Sequence, residues 1–266
     1  MASSSGPSPS DRSVPVQPEI TAHSVPTSGE QSLDLWGRAL GIAIAAGLIA
    51  GVASTVVGEV ILSRYQGDLL PPPSIQPSPE DMRRLREAQL YSAALTFMTM
   101  GGLLGLTMGL AGGLARRSVS ASARAAILGI LLGTAAGAST ALALVSNFFK
   151  RFDPQSGELV LPLLTHGAIW SVVGAIGGLA FGLGLGGRGR WKATLVGGLV
   201  GAAAATVIYE LVGALAFATS KTDLPLSSSI MTRAMAQLLV AILSAVGTAL
   251  ALHQSPKRKV SSSVPS

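Results

Sequence analysis

Five ionisable side chains stand inside stretches that are otherwise apolar: Arg38, Glu59, His166, Glu210 and Arg233. Carboxylates, an imidazole and guanidiniums are the groups that move protons, hold ions or lock helices together by charge. Inside a bilayer each is costly enough to be read as functional by default. Arg38 differs from the rest, because it stands at the end of its stretch, where a long stem lets the guanidinium reach the interface. The candidate intramembrane polar site is therefore Glu210, Arg233, His166 and Glu59. Glu210 is the deepest: Leu211 to Thr219 still follow it, roughly 13 Å of helix at the usual rise. Glu210 and Arg233 stand at similar depth on neighbouring stretches joined by a short loop, so the sequence predicts that they pair. Glu59 then falls to Arg86, and His166 to Asn147. Tyr209 and Trp170 flank this zone. It reads either as an outward-facing vestibule for an ion, proton or small solute, or as a set of interhelical polar locks. The locks are favoured, because the other half of these stretches is almost wholly Gly, Ala, Leu and Ile.

Other chemistry is poorly provided for. An intramembrane serine protease needs a glycine-flanked nucleophile and a partner histidine in another span. Gly137-Ala138-Ser139 lacks the second glycine, and His23 and His253 lie outside the spans or at an edge. No His/acid cluster suggests a metal. Gly184, Gly186, Gly187 and Gly189 follow an apolar helix rather than a strand, so they do not form a phosphate-cradling loop. The chain has no cysteine, which removes disulfides, thiolate metal sites and cysteine nucleophiles. The reading is non-enzymatic, with no cofactor and no metal.

The elements that position these groups are transmembrane helices. Of 266 residues, 48% are hydrophobic and only 12% charged, too few to clothe a soluble fold of this size. Mean hydropathy is +0.52. Six apolar stretches, near 35–63, 89–115, 124–149, 160–187, 192–218 and 229–252, each exceed the roughly 20 residues that cross a bilayer as a helix. Residues 1–34, rich in Ser and Pro, read as a disordered tail, 35–253 as the membrane domain and 254–266 as a short basic tail. The start of the second helix is legible in detail: Ser78 can cap, Pro79 suits the first turn, and Glu80 and Asp81 favour the positive helix end. Arg83, Arg84, Arg86 and Glu87 then form a collar above the membrane.

The net charge of +6 does not imply nucleic acid, because the basic residues sit in short loops. Arg116, Arg117 and Arg124, then Arg188, Arg190 and Lys192, then Lys257, Arg258 and Lys259 all fall on one side of a six-span chain, without acids beside them. The opposite loops mix signs. The positive-inside rule then places both termini in the cytoplasm, and the bacterial inner membrane is the expected location. Trp36 and Trp191 are interfacial anchors on that side.

Glycine recurs every fourth residue: Gly101, Gly105, Gly109 and Gly113; Gly129, Gly133 and Gly137; Gly174, Gly178, Gly182 and Gly186; Gly197 and Gly201. That spacing puts each series on one helix face, where small residues let backbones approach closely. The chain also reads as triplicated. Gly47, Thr55 and Glu59 match Gly198, Thr206 and Glu210 at one offset, Leu144 stands where a third glutamate would be, and Gly101-Gly102-Leu103 aligns with Gly177-Gly178-Leu179. The expected fold is an all-α membrane protein of six helices, in three parallel-repeat hairpins with glycine-mediated packing. Its function is read as a multi-pass packing or scaffold component, the alternative being a small-solute or ion permease. Its partner is the lipid bilayer; a homo-oligomer or a membrane partner stays open.

Overall fold

The structure, a computed structural model, describes residues 28–69, 78–151, 159–187, 189–217 and 222–254. It is all-helical there: α1 Ser28–Leu69, α2 Pro79–Ala115, α3 Val119–Arg151, α4 Val160–Leu185, α5 Arg190–Ala216 and α6 Ile230–Gln254. All six are long and apolar enough to cross a membrane. Each expected span has its helix, but several helices run further. α1 begins at Ser28, inside the stretch read as a tail, and α2 begins ten residues before its apolar run. The rest of that tail, Pro71, Pro72, Pro73 and Pro77, the 152–158 loop, Arg188 and the basic residues after 254 lie outside the described residues.

Local chemistry explains the early start of α2. The Ser78 side chain accepts from the Asp81 amide, and the Asp81 carboxylate accepts from the Ser78 amide, with Pro79 in the first turn. Two pairs at four-residue spacing, Glu80–Arg84 and Arg83–Glu87, carry the collar. The tight α4–α5 connection relies on glycine: Gly186 and Gly187 have φ of 71° and 95°, which a side chain would strain.

The even-numbered helices form the inner layer and the odd-numbered ones the outer. The apolar windows of α2, α4 and α6 are 61%, 61% and 44% buried, against 33%, 22% and 39% for α1, α3 and α5. α2 packs on α4, and α4 on α6. Each odd helix bridges two even ones: α1 lies against α6 and α2, α3 against α2 and α4, α5 against α4 and α6. The outer faces of α1, α3 and α5 carry exposed Leu48, Ile49, Val56, Leu128, Leu131, Val200 and Val207, a surface suited to lipid chains.

Within this arrangement the helices approach to backbone contact. A Cβ built on Gly101 or Gly105 would overlap the carbonyl of Gly133 or Gly129 on α3, and Gly137 stands against the Phe97 carbonyl. On α4, Gly174 faces the Gly198 carbonyl, Gly178 the Thr194 carbonyl and Gly182 the Thr194 side chain. On the opposite side of α5, Gly197 and Gly201 meet the carbonyls of Gly247 and Leu243 on α6. Gly109 and Gly113 close on Ala125 and Ser122. Gly186 is an exception to the expected series. It caps α4 instead of continuing it, and the Arg116 guanidinium lies over it.

Gly105→Ala should cost about 1–3 kcal/mol, because the Gly129 carbonyl cannot move without moving α3. Gly41 has nothing within 4 Å of its Cβ position. Gly41→Ala should leave stability unchanged or slightly raised, since alanine is the better helix former. Unfolding in detergent micelles measures both.

Candidate functional site

The polar residues gather in the half of the bundle that holds the α5–α6 loop. His166 enters on α4, Glu210 on α5, Arg233 on α6 and Glu59 near the end of α1. Their partners differ from those expected. His166 Nδ1 stands 2.6 Å from Glu210 Oε1, and its Nε2 stands 3.1 Å from the Leu224 carbonyl. Arg233 makes a two-pronged pair with Glu59: Nε donates to Oε1 and Nη2 to Oε2, both at 2.7 Å. Its Nη1 donates to the carbonyls of Ser227 and Ser228, at 2.8 and 3.0 Å. Glu210 and Arg233 are thus not paired. Arg86 stands exposed on the collar, and Asn147 donates to the Ala143 carbonyl of its own helix.

The reason is azimuth. Depth was readable from the sequence, but partner choice depends on the face. On α5, Thr194, Gly198, Ala202, Thr206 and Glu210 are four apart and share one stripe. Gly198 and Ala202 pack on Gly174, and Thr206 lies beside Gly167, so the stripe faces α4. Glu210 is carried to His166 along it. On α1, Gly47, Gly51, Thr55 and Glu59 make the same stripe. Gly47 and Gly51 pack on Ala241 and Leu238, so Glu59 is delivered to α6 and Arg233. The step of four that placed the glycines also contained this answer.

Proton counting constrains the His166 pair. A carbonyl only accepts, so Nε2 carries a hydrogen toward Leu224. One proton then lies between Nδ1 and Oε1, and the pair as a whole is neutral. The imidazole is 2% exposed, so that neutrality matters. Trp170 stacks on it with centroids 5.1 Å apart, and Tyr209 meets it edge-on at 5.7 Å. The Tyr209 hydroxyl shares a hydrogen bond with Ser227, whose Oγ lies 2.6 Å from Thr232 Oγ1.

Beside these pairs lies a small cavity bordered by Thr96, Trp170, Tyr209, Ser227, Arg233 and Gln237, among others. Its free space is about the size of one water molecule. Thr96 Oγ1, Trp170 Nε1 and Gln237 Oε1 are buried without a hydrogen-bond partner. Sequence reasoning missed Thr96 and Gln237 because it searched the spans for ionisable groups alone. Uncharged polar residues in apolar stretches were the available signal. Among the described residues no three His, Asp or Glu side chains come together at one point.

No family model, curated protein or solved structure matches this chain.

Arg233→Ala strands Glu59, and Glu59→Gln strands Arg233. Each should lose about 1.5–3 kcal/mol, the worth of hydrogen bonds to charged groups. The double variant Glu59→Gln, Arg233→Ala should lose clearly less than the sum. Equal and additive losses in detergent unfolding would refute the pair.

Proposed function

We propose that this chain is a non-enzymatic multi-pass membrane protein, a packing or scaffold component, whose outward polar groups lock helices together. One observation carries this reading: the candidate site groups satisfy each other. Arg233 spends its donors on Glu59 and two carbonyls, and both His166 nitrogens are engaged. A group that must bind or protonate a substrate needs free valence, and these have little. Between the pairs and the opposite membrane face the spans hold no ionisable side chain, and glycine-mediated packing closes the bundle. The loop charges orient both termini to the cytoplasm of a bacterial inner membrane.

The permease reading rests on a different observation, the unpartnered Thr96, Trp170 and Gln237 atoms around the small cavity. Proteoliposomes separate the two. A scaffold shows no proton-driven flux that depends on Glu210, so wild type and Glu210→Gln should have the same leak by a pH-sensitive dye. A flux that Glu210→Gln abolishes would favour the permease and sink the scaffold.

The helix contacts also support three parallel hairpins, α1–α2, α3–α4 and α5–α6, about an axis along the membrane normal. The close approaches of Gly101 to Gly133, Gly174 to Gly198 and Ala241 to Gly47 are equivalent in such a repeat. That register shifts two of the sequence alignments. Gly101 corresponds to Gly174 rather than Gly177, and Glu59 and Glu210 correspond to Val145 rather than Leu144. By these contacts, Arg233–Glu59 across α6 and α1 and His166–Glu210 across α4 and α5 are matched across α2 and α3 by Ala93 and Val145, both buried. An apolar pair thus occupies the place of a charged one. The double variant His166→Ala, Glu210→Val should therefore fold at least as stably as either single variant, since the singles strand a buried polar group. A double variant weaker than both singles in thermal unfolding would count against the repeat.

A further inference from the structure

At the opposite end from the polar pairs, three arginines from different parts of the chain surround one opening. Arg38 comes from α1, Arg116 follows α2, and Arg190 begins α5. The opening has a volume of about 360 Å³, with Ala115, Leu185 and the Gly186-Gly187 turn completing its wall, and none of the described residues that border it is acidic. The glycine turn is shaped around the arginines. A Cβ on Gly186 would overlap the Arg116 guanidinium, and one on Gly187 would stand 3.2 Å from Arg190 Cδ and 3.4 Å from its Nε. Arg38 donates from Nη2 to the Ala115 carbonyl, while its Nε is buried and unpartnered. α5 starts at this opening without a side-chain cap, so its first amides add positive potential.

We propose that this opening binds a phosphate group, carried by an anionic lipid headgroup or free in solution. Three guanidiniums with no acid among the described residues of the wall repel one another, and a shared anion relieves that repulsion. Guanidinium matches phosphate with two parallel hydrogen bonds, and the planar fork makes the match geometric as well as electrostatic. The site lies at the membrane end that the loop charges assign to the cytoplasm, where basic pockets between spans meet anionic headgroups. Arginines placed only to set topology need not converge. Arg117 and Arg124 serve that purpose at the same end, exposed and outside the opening.

The test uses the full chain, delipidated in a mild detergent. Native mass spectrometry compares phosphatidylglycerol with phosphatidylcholine of the same acyl chains, and thermal unfolding compares inorganic phosphate with chloride at matched ionic strength. The wild type should hold phosphatidylglycerol or respond to phosphate, with roughly a tenfold preference lost in Arg116→Gln, Arg190→Gln. Both side chains are exposed, so this variant should fold; Arg38→Gln provides a third, separate loss. Lipid preference without a phosphate response identifies a headgroup, and a phosphate response without lipid preference identifies the free ion. The control Arg117→Gln, Arg124→Gln removes the same charge outside the opening and should change nothing. If it weakens binding equally, or if the wild type prefers neither ligand, the site does not exist.

Discussion

Backbone contact between helices is the constraint from which the rest of this molecule follows. Where Gly101, Gly105, Gly174 and Gly197 stand, the atom opposite is a main-chain carbonyl of the next helix. Lipid supplies no hydrophobic force between spans, so their cohesion comes from dispersion at close range and from polar contacts. Dispersion falls steeply with separation, and a gap of 0.5–1 Å already forfeits roughly a quarter to a half of each contact. Removing side chains from both faces is how two helices reach that range along several turns. The cost in helix propensity, about 1 kcal/mol per glycine in water, is tolerated here because the bilayer itself enforces the helix.

Close approach then dictates where charges can go. A stripe of small residues at four-residue spacing has a definite azimuth, and whatever continues it shares that azimuth. Glu59 and Glu210 each extend such a stripe by one turn beyond a threonine. They arrive at the same seam the glycines made, but near its loop-bearing end, where Gly58 and Gly167 face the side chains of Gln237 and Thr206 instead of a main-chain carbonyl. There they meet Arg233 and His166 on an even-numbered helix. The pairs are therefore consequences of the seam rather than independent attractions. They join α1 to α6 and α4 to α5 at that end.

Much of this was legible in the sequence. Helix number followed from uninterrupted apolar length, and the start of α2 followed from Ser78, Pro79 and Asp81, because capping is local chemistry. The four candidate site residues were found because ionisable groups in apolar spans are conspicuous. What failed was partner choice. Glu210 and Arg233 seemed matched by depth and by their short connection, yet each odd helix has two even neighbours, and loop length does not say which one a given face meets. Gly186 was assigned to a helix because spacing is blind to the sign of φ.

The two ends of the bundle solve their charge problems in opposite ways. Toward the α5–α6 loop, the charged groups close on each other and on carbonyls, and the bonding capacity left over belongs to uncharged groups, Thr96 Oγ1, Trp170 Nε1 and Gln237 Oε1. Around the α4–α5 turn, Arg38, Arg116 and Arg190 share an opening that has no acid among the described residues of its wall, and one of their buried donors has no partner. Hydrogen-bonding capacity that the chain does not satisfy from within must be met from outside, by water or by a ligand. By that criterion the conspicuous intramembrane acids and bases are bonded from within the chain. Among the arginines that look like ordinary topology signals, Arg38 keeps a buried donor without a partner, and that donor is what the proposed anion would reach.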